Sequence, residues 1–221
     1  MSSSKHSCLF FGITWVSTTI TTMKELIRTI HERQNGREKP LVVTIGGPTA
    51  GGKTTLARQL AAQFPATIIH ADNYYYGDEF RRHHLPAELA GNFDHPASFA
   101  INELAKTIAA LRVGHATMGP AYDRQTGQSH ANSIYYPPQP LIIVEGLIAN
   151  LPVLAPLRDL SVCVTALSSV RLARRIARDQ LEKTHHNDPA GVTTYFWYCA
   201  EPMYQQFYSA GDAAADVVLS T

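Results

Sequence analysis

Residues 41–60 read LVVTIGGPTAGGKTTLARQL, and the fold follows from how this stretch divides. Leu41, Val42, Val43, Thr44 and Ile45 form an apolar, largely β-branched run of the length taken by a strand buried on both faces. The chain then breaks into GGPTAGGKT at positions 46–54. A helical pattern follows, with Leu56, Leu60 and Ala61 spaced for one face. Gly47, Pro48, Thr49, Ala50, Gly51, Gly52, Lys53 and Thr54 match the pattern G-x-x-x-x-G-K-[ST] position for position.

That pattern has a chemistry. Glycines let the backbone curl so that successive N–H groups converge on phosphates, which also meet the positive end of the following helix. Lys53 has the reach for β- and γ-phosphates, and the Thr54 hydroxyl is placed to hold Mg²⁺. A lone glycine-rich turn would need no ligand. The whole motif in its strand–loop–helix setting predicts a nucleoside triphosphate, with Thr55 extending the ATP-binding set.

A chain of 221 residues suits one α/β domain with room for a small excursion. Hydrophobic content of 45% and charge of 17% are ordinary for a globular protein. The formal net charge of +1 supplies no bulk attraction to nucleic acid or to a membrane, and neither is expected as a partner. Cys8, Cys163 and Cys199 are widely separated and odd in number, which argues against a disulfide framework and a zinc site and for a reducing, cytoplasmic setting.

Residues 1–22 differ from the rest. They are rich in Ser and Thr, lack acids, and carry a short apolar run from Cys8 to Val16 that is too short to span a bilayer as a helix. They are read as an extension, with Met23 favoured as the natural start, a targeting segment and a packed segment being the other readings. The domain carrying the phosphate loop is assigned to residues 23–221. Met23, Leu26, Ile27 and Ile30 predict an amphipathic helix ending near Asn35-Gly36.

Beyond the phosphate loop, residues 66–71 predict a second buried strand that delivers Asp72 at its carboxyl end, where open parallel sheets bind ligands. Residues 74–95 lack a period and read as a long loop or lid, in which His83-His84 is no metal site without further ligands. A helix over Ile101–Leu111 follows, then two strand-like pieces that read as a hairpin turning near Gln125–Gly127. Leu141–Val144 is another buried strand, ending in Glu145, whose carboxylate suits Mg²⁺ or its waters. After a strand at 160–167, Arg171, Arg174, Arg175 and Arg178 share one helix face with no interleaved acid, which invites a polyanion. Residues 184–191 read as a loose tip, 193–209 as a helix containing Pro202, and 216–219 as a short closing strand.

These pieces resemble the uridine kinase branch of the phosphate-loop kinases, near phosphoribulokinase and nicotinamide riboside kinase. The likeness rests on GGPTAGGKTT (46–55), DNYYYGDEF (72–80), NFDHPASF (92–99), PAYDRQTGQS (120–129), IIVEGLIA (142–149), VRLARRIARD (170–179) and ADVVL (215–219). The resemblance implies a P-loop NTPase-type parallel sheet flanked by helices, with the hairpin excursion and an arginine-bearing lid helix. It implies ATP- and Mg²⁺-dependent phosphotransfer to a hydroxyl of a nucleoside or similar small-molecule acceptor.

By position, it makes Asp72 the base and Lys53, Arg171 and Arg174 its catalytic companions. Tyr75, Asp94, Tyr122, Arg124 and Arg171 would meet the acceptor, Arg174 and Arg178 the ATP, and Thr54, Asp72 and Glu145 the metal. Two departures stand out. Arg124 and Gly127 occupy the places where uridine kinases carry an aromatic residue and a histidine, and Glu182-Lys183-Thr184-His185 replaces an E-R-G-R cluster. Arg124 either meets an acidic or phosphorylated acceptor or is exposed. Two alternatives stay open: a non-catalytic or degenerate nucleotide-binding regulator, and a kinase for pantothenate, glycerate or a pentose phosphate; assembly as a homo-oligomer is compatible with each.

Overall fold

A computed structural model of the chain describes residues 22–182 and 188–221. It begins with α1 (Met23–Gln34), β1 (Leu41–Gly46), α2 (Lys53–Ala61) and β2 (Ala66–His70). A 3₁₀ turn (Ala71–Tyr74) leads to short helices α3 (Asp78–His84) and α4 (Ala87–Ala90), then to α5 (Ile101–Arg112). Strands β3 (Thr117–Asp123) and β4 (Gln128–Tyr136) form the hairpin, followed by β5 (Leu141–Glu145), β6 (Leu160–Thr165) and α6 (Ser168–Glu182). Residues 189–213 are helical, made of α7 (Pro189–Tyr195), α8 (Glu201–Met203) and α9 (Ser209–Ala213) joined by π-helical turns at Phe196–Ala200 and Tyr204–Tyr208. Strand β7 (Val217–Ser220) closes the chain's last sheet position.

The main sheet runs β2-β5-β1-β6-β7 with every pairing parallel, and β3-β4 stands apart as an antiparallel pair. β1 lies in the middle, and all its residues are buried, as its unbroken apolar run requires. Alternate residues serve opposite faces. Val43 and Ile45 join Leu26, Ile30, Leu56 and Leu60 in one core, whereas Val42 joins Ile142, Val144, Leu104 and Ile108 in the other. Helices on both faces therefore sandwich the sheet, and all five strands point their carboxyl ends to one edge. No helix among the described residues is long and apolar enough to cross a membrane.

Three expectations change. Residues 74–95 are not a bare loop: they hold α3 and α4, with Arg81 1% exposed against the Phe93 ring. The helix expected over 193–209 runs over 189–213, so the loose tip at 184–191 is helical from Pro189, and its residues 184–187 lie outside the described set. The 1–22 extension also lies outside it, except for Thr22. That residue caps α1: its hydroxyl accepts from Glu25 N at 3.3 Å while Glu25 Oε2 accepts from Thr22 N at 3.2 Å.

Under the end of β1, Asp212 of α9 is 2% exposed. Asn150 Nδ2 donates to its Oδ1 at 2.8 Å and to Val162 O at 3.0 Å, and Thr44 Oγ1 donates to Asn150 Oδ1 at 2.7 Å. Burial pushes the Asp212 carboxyl above its ordinary value, with the Asn150 hydrogen bond opposing it.

Two stability predictions follow from these contacts. Thr22→Ala should cost about 1 kcal/mol in urea unfolding by removing the cap; an unchanged midpoint would show that α1 is held by Leu26 and Ile30 alone. Asp212 favours the folded state while protonated, so its contribution is complete below 3.8 and is lost as pH rises through its higher folded value. Asp212→Asn should flatten that part of the stability–pH curve, measured by urea unfolding at a series of pH values.

Candidate functional site

The loop after β1 is shaped by what its glycines lack. A Cβ on Gly47 (φ +132°) would lie 2.1 Å from Val164 O at the end of β6, and one on Gly51 2.6 Å from the same oxygen. Gly52 (φ +106°) stands at the N-cap of α2 and offers no side-chain acceptor, and the first turn of α2 holds no acid. Its amide N–H groups are thereby left for an anion. Lys53 Nζ lies over the loop, donating to Gly47 O at 2.9 Å and Pro48 O at 3.0 Å. Desolvation lowers its pKa, against the pull of Glu145 and Asp72.

Facing the lysine are the acids delivered by β5 and β2. Glu145 Oε1 accepts from Thr54 Oγ1 at 3.0 Å and meets His70 Nδ1 at 2.6 Å. His70 and Glu145 are register partners in the sheet, and the hydrogen bond to Glu145 raises the histidine pKa. His70 was not singled out from the sequence, because its partner is a neighbour only across strands. Asp72 sits in the 3₁₀ turn after β2, and its Oδ2 is bound by the Arg124 guanidinium from the hairpin turn. Arg124 also lies 3.6 Å from Glu182 on α6, so the hairpin, the β2 end and α6 meet through one cation.

The far wall is aromatic. Tyr75 stacks on Phe99 at 4.1 Å between ring centres and lies 5.7 Å from Phe93 and 5.3 Å from Tyr122. Tyr122 Oη donates to Asp78 Oδ1 at 3.2 Å, the oxygen that also holds Arg81. Asp94, only 8% exposed, completes this end. Desolvation raises its pKa, opposed by Arg175 and by a hydrogen bond from Tyr195.

Phosphate loop, acids and aromatic wall line a single cleft of about 1270 Å³, which takes in Lys53, Thr54, Asp72, Tyr75, Asp94, Tyr122, Arg124 and Glu145. The arginine helix is split by its packing. Arg174, Arg175 and Arg178 line the cleft; Arg171 does not. The expectation that Arg171 faces the acceptor is corrected: its guanidinium is bidentate to Glu201 at 2.6 and 2.8 Å, and its Nε donates to Ala166 O at 3.0 Å. The start of the stripe is covered by Phe196 and Glu201, whereas later turns open on the cleft.

Arg175, passed over in the sequence assignment, reaches Thr49 Oγ1 at 3.3 Å and lies over the Tyr195 ring. The stripe also has an acid that the helix spacing missed: Asp179 lies 3.5 Å from Arg175 and 2.8 Å from Arg178. Arg174 donates to Thr221 Oγ1 at 2.8 Å. Three cations beside a lysine and a ring of amide donors can hold a polyphosphate, and the opposite wall can hold a small hydroxylated, partly flat molecule.

Comparison with known proteins agrees with this geometry. A sequence profile described as the phosphoribulokinase / uridine kinase family matches residues 42–221. A uridine kinase of Brevibacillus brevis is 34% identical over 185 residues, covering 81% of this chain and 84% of that protein. One of Streptococcus agalactiae is 31% identical over 189 residues, covering 83% and 88%. Among solved structures, a D-glycerate 3-kinase of Cryptococcus neoformans superposes with a TM-score of 0.67 at 13% identity, over 89% of this chain and 94% of that one, a likeness of fold.

Arg171→Leu should destabilise the chain by roughly 3 kcal/mol, because it removes a buried guanidinium and leaves the half-buried Glu201 carboxylate without its partner. Calorimetric titration with ATP should then find near wild-type affinity in the folded fraction. A variant of full stability but weakened ATP binding would return Arg171 to the site.

Proposed function

The chain belongs to the phosphoribulokinase / uridine kinase family, ATP-dependent small-molecule kinases that use Mg²⁺, and from that premise we propose that it phosphorylates a hydroxyl of a nucleoside, uridine first among them. The observation that supports this reading is the pairing, in one cleft, of a complete phosphate loop with an aromatic, carboxylate-bearing wall. The relatives named uridine kinases span most of their own length in the match, which supports the same acceptor class. A net charge of +1 supplies no bulk attraction to nucleic acid or to a membrane, and the enzyme is read as cytoplasmic.

In this reading the loop amides and Lys53 hold the β- and γ-phosphates, giving up the Gly47 and Pro48 carbonyls that the ammonium now meets. The donor set beside them is all oxygen: Thr54 Oγ1 and Glu145, with Asp72 near, which fits Mg²⁺ held by one or two carboxylates and phosphates rather than by a protein cage. Thr54, Glu145 and Asp72 would hold Mg²⁺ there, and the chemistry it would supply is positive charge to offset what develops on the transferring phosphoryl group. His70 keeps Glu145 turned toward Thr54.

Asp94 accepts hydrogen bonds from the acceptor's sugar hydroxyls, and Tyr75, Phe93 and Tyr122 face its flat part. Asp72 takes the proton of the attacking hydroxyl. For that, its Oδ2 must leave Arg124, so seating the acceptor exchanges an ion pair for the hydroxyl. Arg174, Arg175 and Arg178 cover the phosphates from α6, and closure of that helix excludes water.

The test is acceptor-stimulated ADP release, with uridine, cytidine, pantothenate, glycerate and pentose phosphates compared at equal concentration. Uridine or cytidine should stimulate most, and the absence of stimulation by any nucleoside would overturn the reading. Asp72→Asn should lower uridine-dependent turnover by about 10² to 10⁴ through loss of the base. Its ATP dissociation constant should change far less, since the loop and Lys53 make those contacts. Preserved turnover in the folded variant would remove Asp72 as the base.

A further inference from the structure

The helical segment 189–213 contains two π-helical turns, Phe196–Ala200 and Tyr204–Tyr208, on either side of Pro202. Such turns are rare in proteins and concentrate at functional sites. Their effect here is geometric. Tyr195 and Tyr208 stand thirteen residues apart. In a regular α-helix, at about 100° per residue, that spacing leaves two side chains roughly 220° apart, on opposite faces. Each π turn takes up one residue more than an α turn; the first lies between the tyrosines and the second ends on Tyr208 itself. With two residues absorbed, the rotation between them falls to about 20°. Both rings then face the same neighbour.

That neighbour is the segment carrying Asp94. Tyr208 Oη donates to Asp94 O at 2.8 Å. Phe93 N donates to Tyr195 Oη at 3.2 Å, which sets the Tyr195 hydroxyl beside the Asp94 carboxylate, where it opposes the rise that burial gives that carboxyl's pKa. One turn beyond Tyr195, Cys199 Sγ lies 3.3 Å from Asn92 Oδ1, the atom that accepts from Asp94 N at 3.0 Å. The backbone on either side of Asp94 is therefore held from one helix, with the Tyr195 hydroxyl beside its carboxylate. Tyr195 itself lines the cleft, under the guanidinium of Arg175, which reaches Thr49 of the phosphate loop at 3.3 Å.

We propose that Tyr195 and Tyr208 form a clamp that positions Asp94 for the acceptor, and that the two widened turns exist to bring both hydroxyls to it. Tyr195 is the specificity-bearing member. Its hydroxyl orients the Asp94 carboxylate, and its ring carries Arg175, so it links the acceptor end of the cleft to the phosphate end. Tyr208 is a positioning residue that acts only through the Asp94 backbone. The inference rests on the reading above that Asp94 grips the acceptor's hydroxyls.

Tyr195→Phe and Tyr208→Phe delete one oxygen each and keep the rings, so both variants should fold with melting temperatures close to the parent. Steady-state kinetics with uridine and ATP on the full chain, with Asp94→Asn alongside, separates the outcomes. Tyr195→Phe removes the hydroxyl that accepts from Phe93 N beside the Asp94 carboxylate, so it should raise the KM for uridine about tenfold. The KM for ATP should stay within about twofold, the loop contacts being untouched. Tyr208→Phe should shift the uridine KM in the same direction by less.

A uridine KM that stays at the parent value in both tyrosine variants, while Asp94→Asn raises it, overturns the clamp and leaves the role of Asp94 standing. Equal loss for uridine and ATP together with a lowered melting temperature also overturns it, since that is what a merely structural pair of tyrosines would give. If Asp94→Asn itself has no effect on uridine, or the parent chain is inert toward uridine, the acceptor reading fails first and the clamp falls with it.

Discussion

Val164 O lies where a side chain on Gly47 or Gly51 would have to go, 2.1 Å and 2.6 Å from the positions their Cβ atoms would take. The phosphate loop can wrap over the end of β6 only because those positions project nothing. Much depends on that closeness. It sets the start of α2 against the sheet, aims the first-turn amides into the cleft, and holds Lys53 Nζ over the Gly47 and Pro48 carbonyls. A loop pushed outward by one methyl group would move the phosphate cradle away from the acids on β2 and β5.

Those acids are a consequence of topology. In a sheet ordered β2-β5-β1-β6-β7 with parallel strands, the carboxyl ends of β1, β2 and β5 arrive side by side. The loop, His70 and Glu145 therefore meet without any dedicated connection. The side-chain pairs that result are charged or charge-assisted and drawn from distant parts of the chain: Thr54 with Glu145, His70 with Glu145, Arg124 with Asp72. In a partly dry cleft such pairs hold each group in one orientation, and a ligand has to exchange for them rather than bind to idle side chains. Arg124 illustrates this, since it is shared between Asp72 and Glu182.

Helix 189–213 does for the aromatic end of the cleft what the phosphate loop does for the other. An uninterrupted α-helix would turn Tyr195 and Tyr208 to opposite faces, and the π turns bring them to the same face of the segment holding Asp94. The same helix supplies Glu201, which withdraws Arg171 from the cleft, so one element both completes the wall around Asp94 and removes a cation from the cleft.

The parallel sheet, the phosphate loop, the hairpin and the two acids at strand ends were legible in the sequence, because each is local. A strand buried on both faces must be continuously apolar, a phosphate loop needs its glycines at set spacings, and an acid at a strand's end is carried to the binding edge by the strand itself. Grouping of side chains was not legible where it depends on what lies opposite. Arg171 and Arg175 share a helix face, yet one is buried against Glu201 and the other lines the cleft, since the covering residues come from a segment twenty or more positions away. His70 is one of ten histidines in the sequence and gains its partner only through strand register with Glu145. Residues 74–95 showed no period because α3 and α4 are short and half-exposed, and Arg81 is buried by Phe93 and Asp78 rather than by an apolar stripe. Periodicity and motif spacing report what a segment does by itself; which charges pair, and which tyrosines meet Asp94, is decided by packing between segments far apart in the chain.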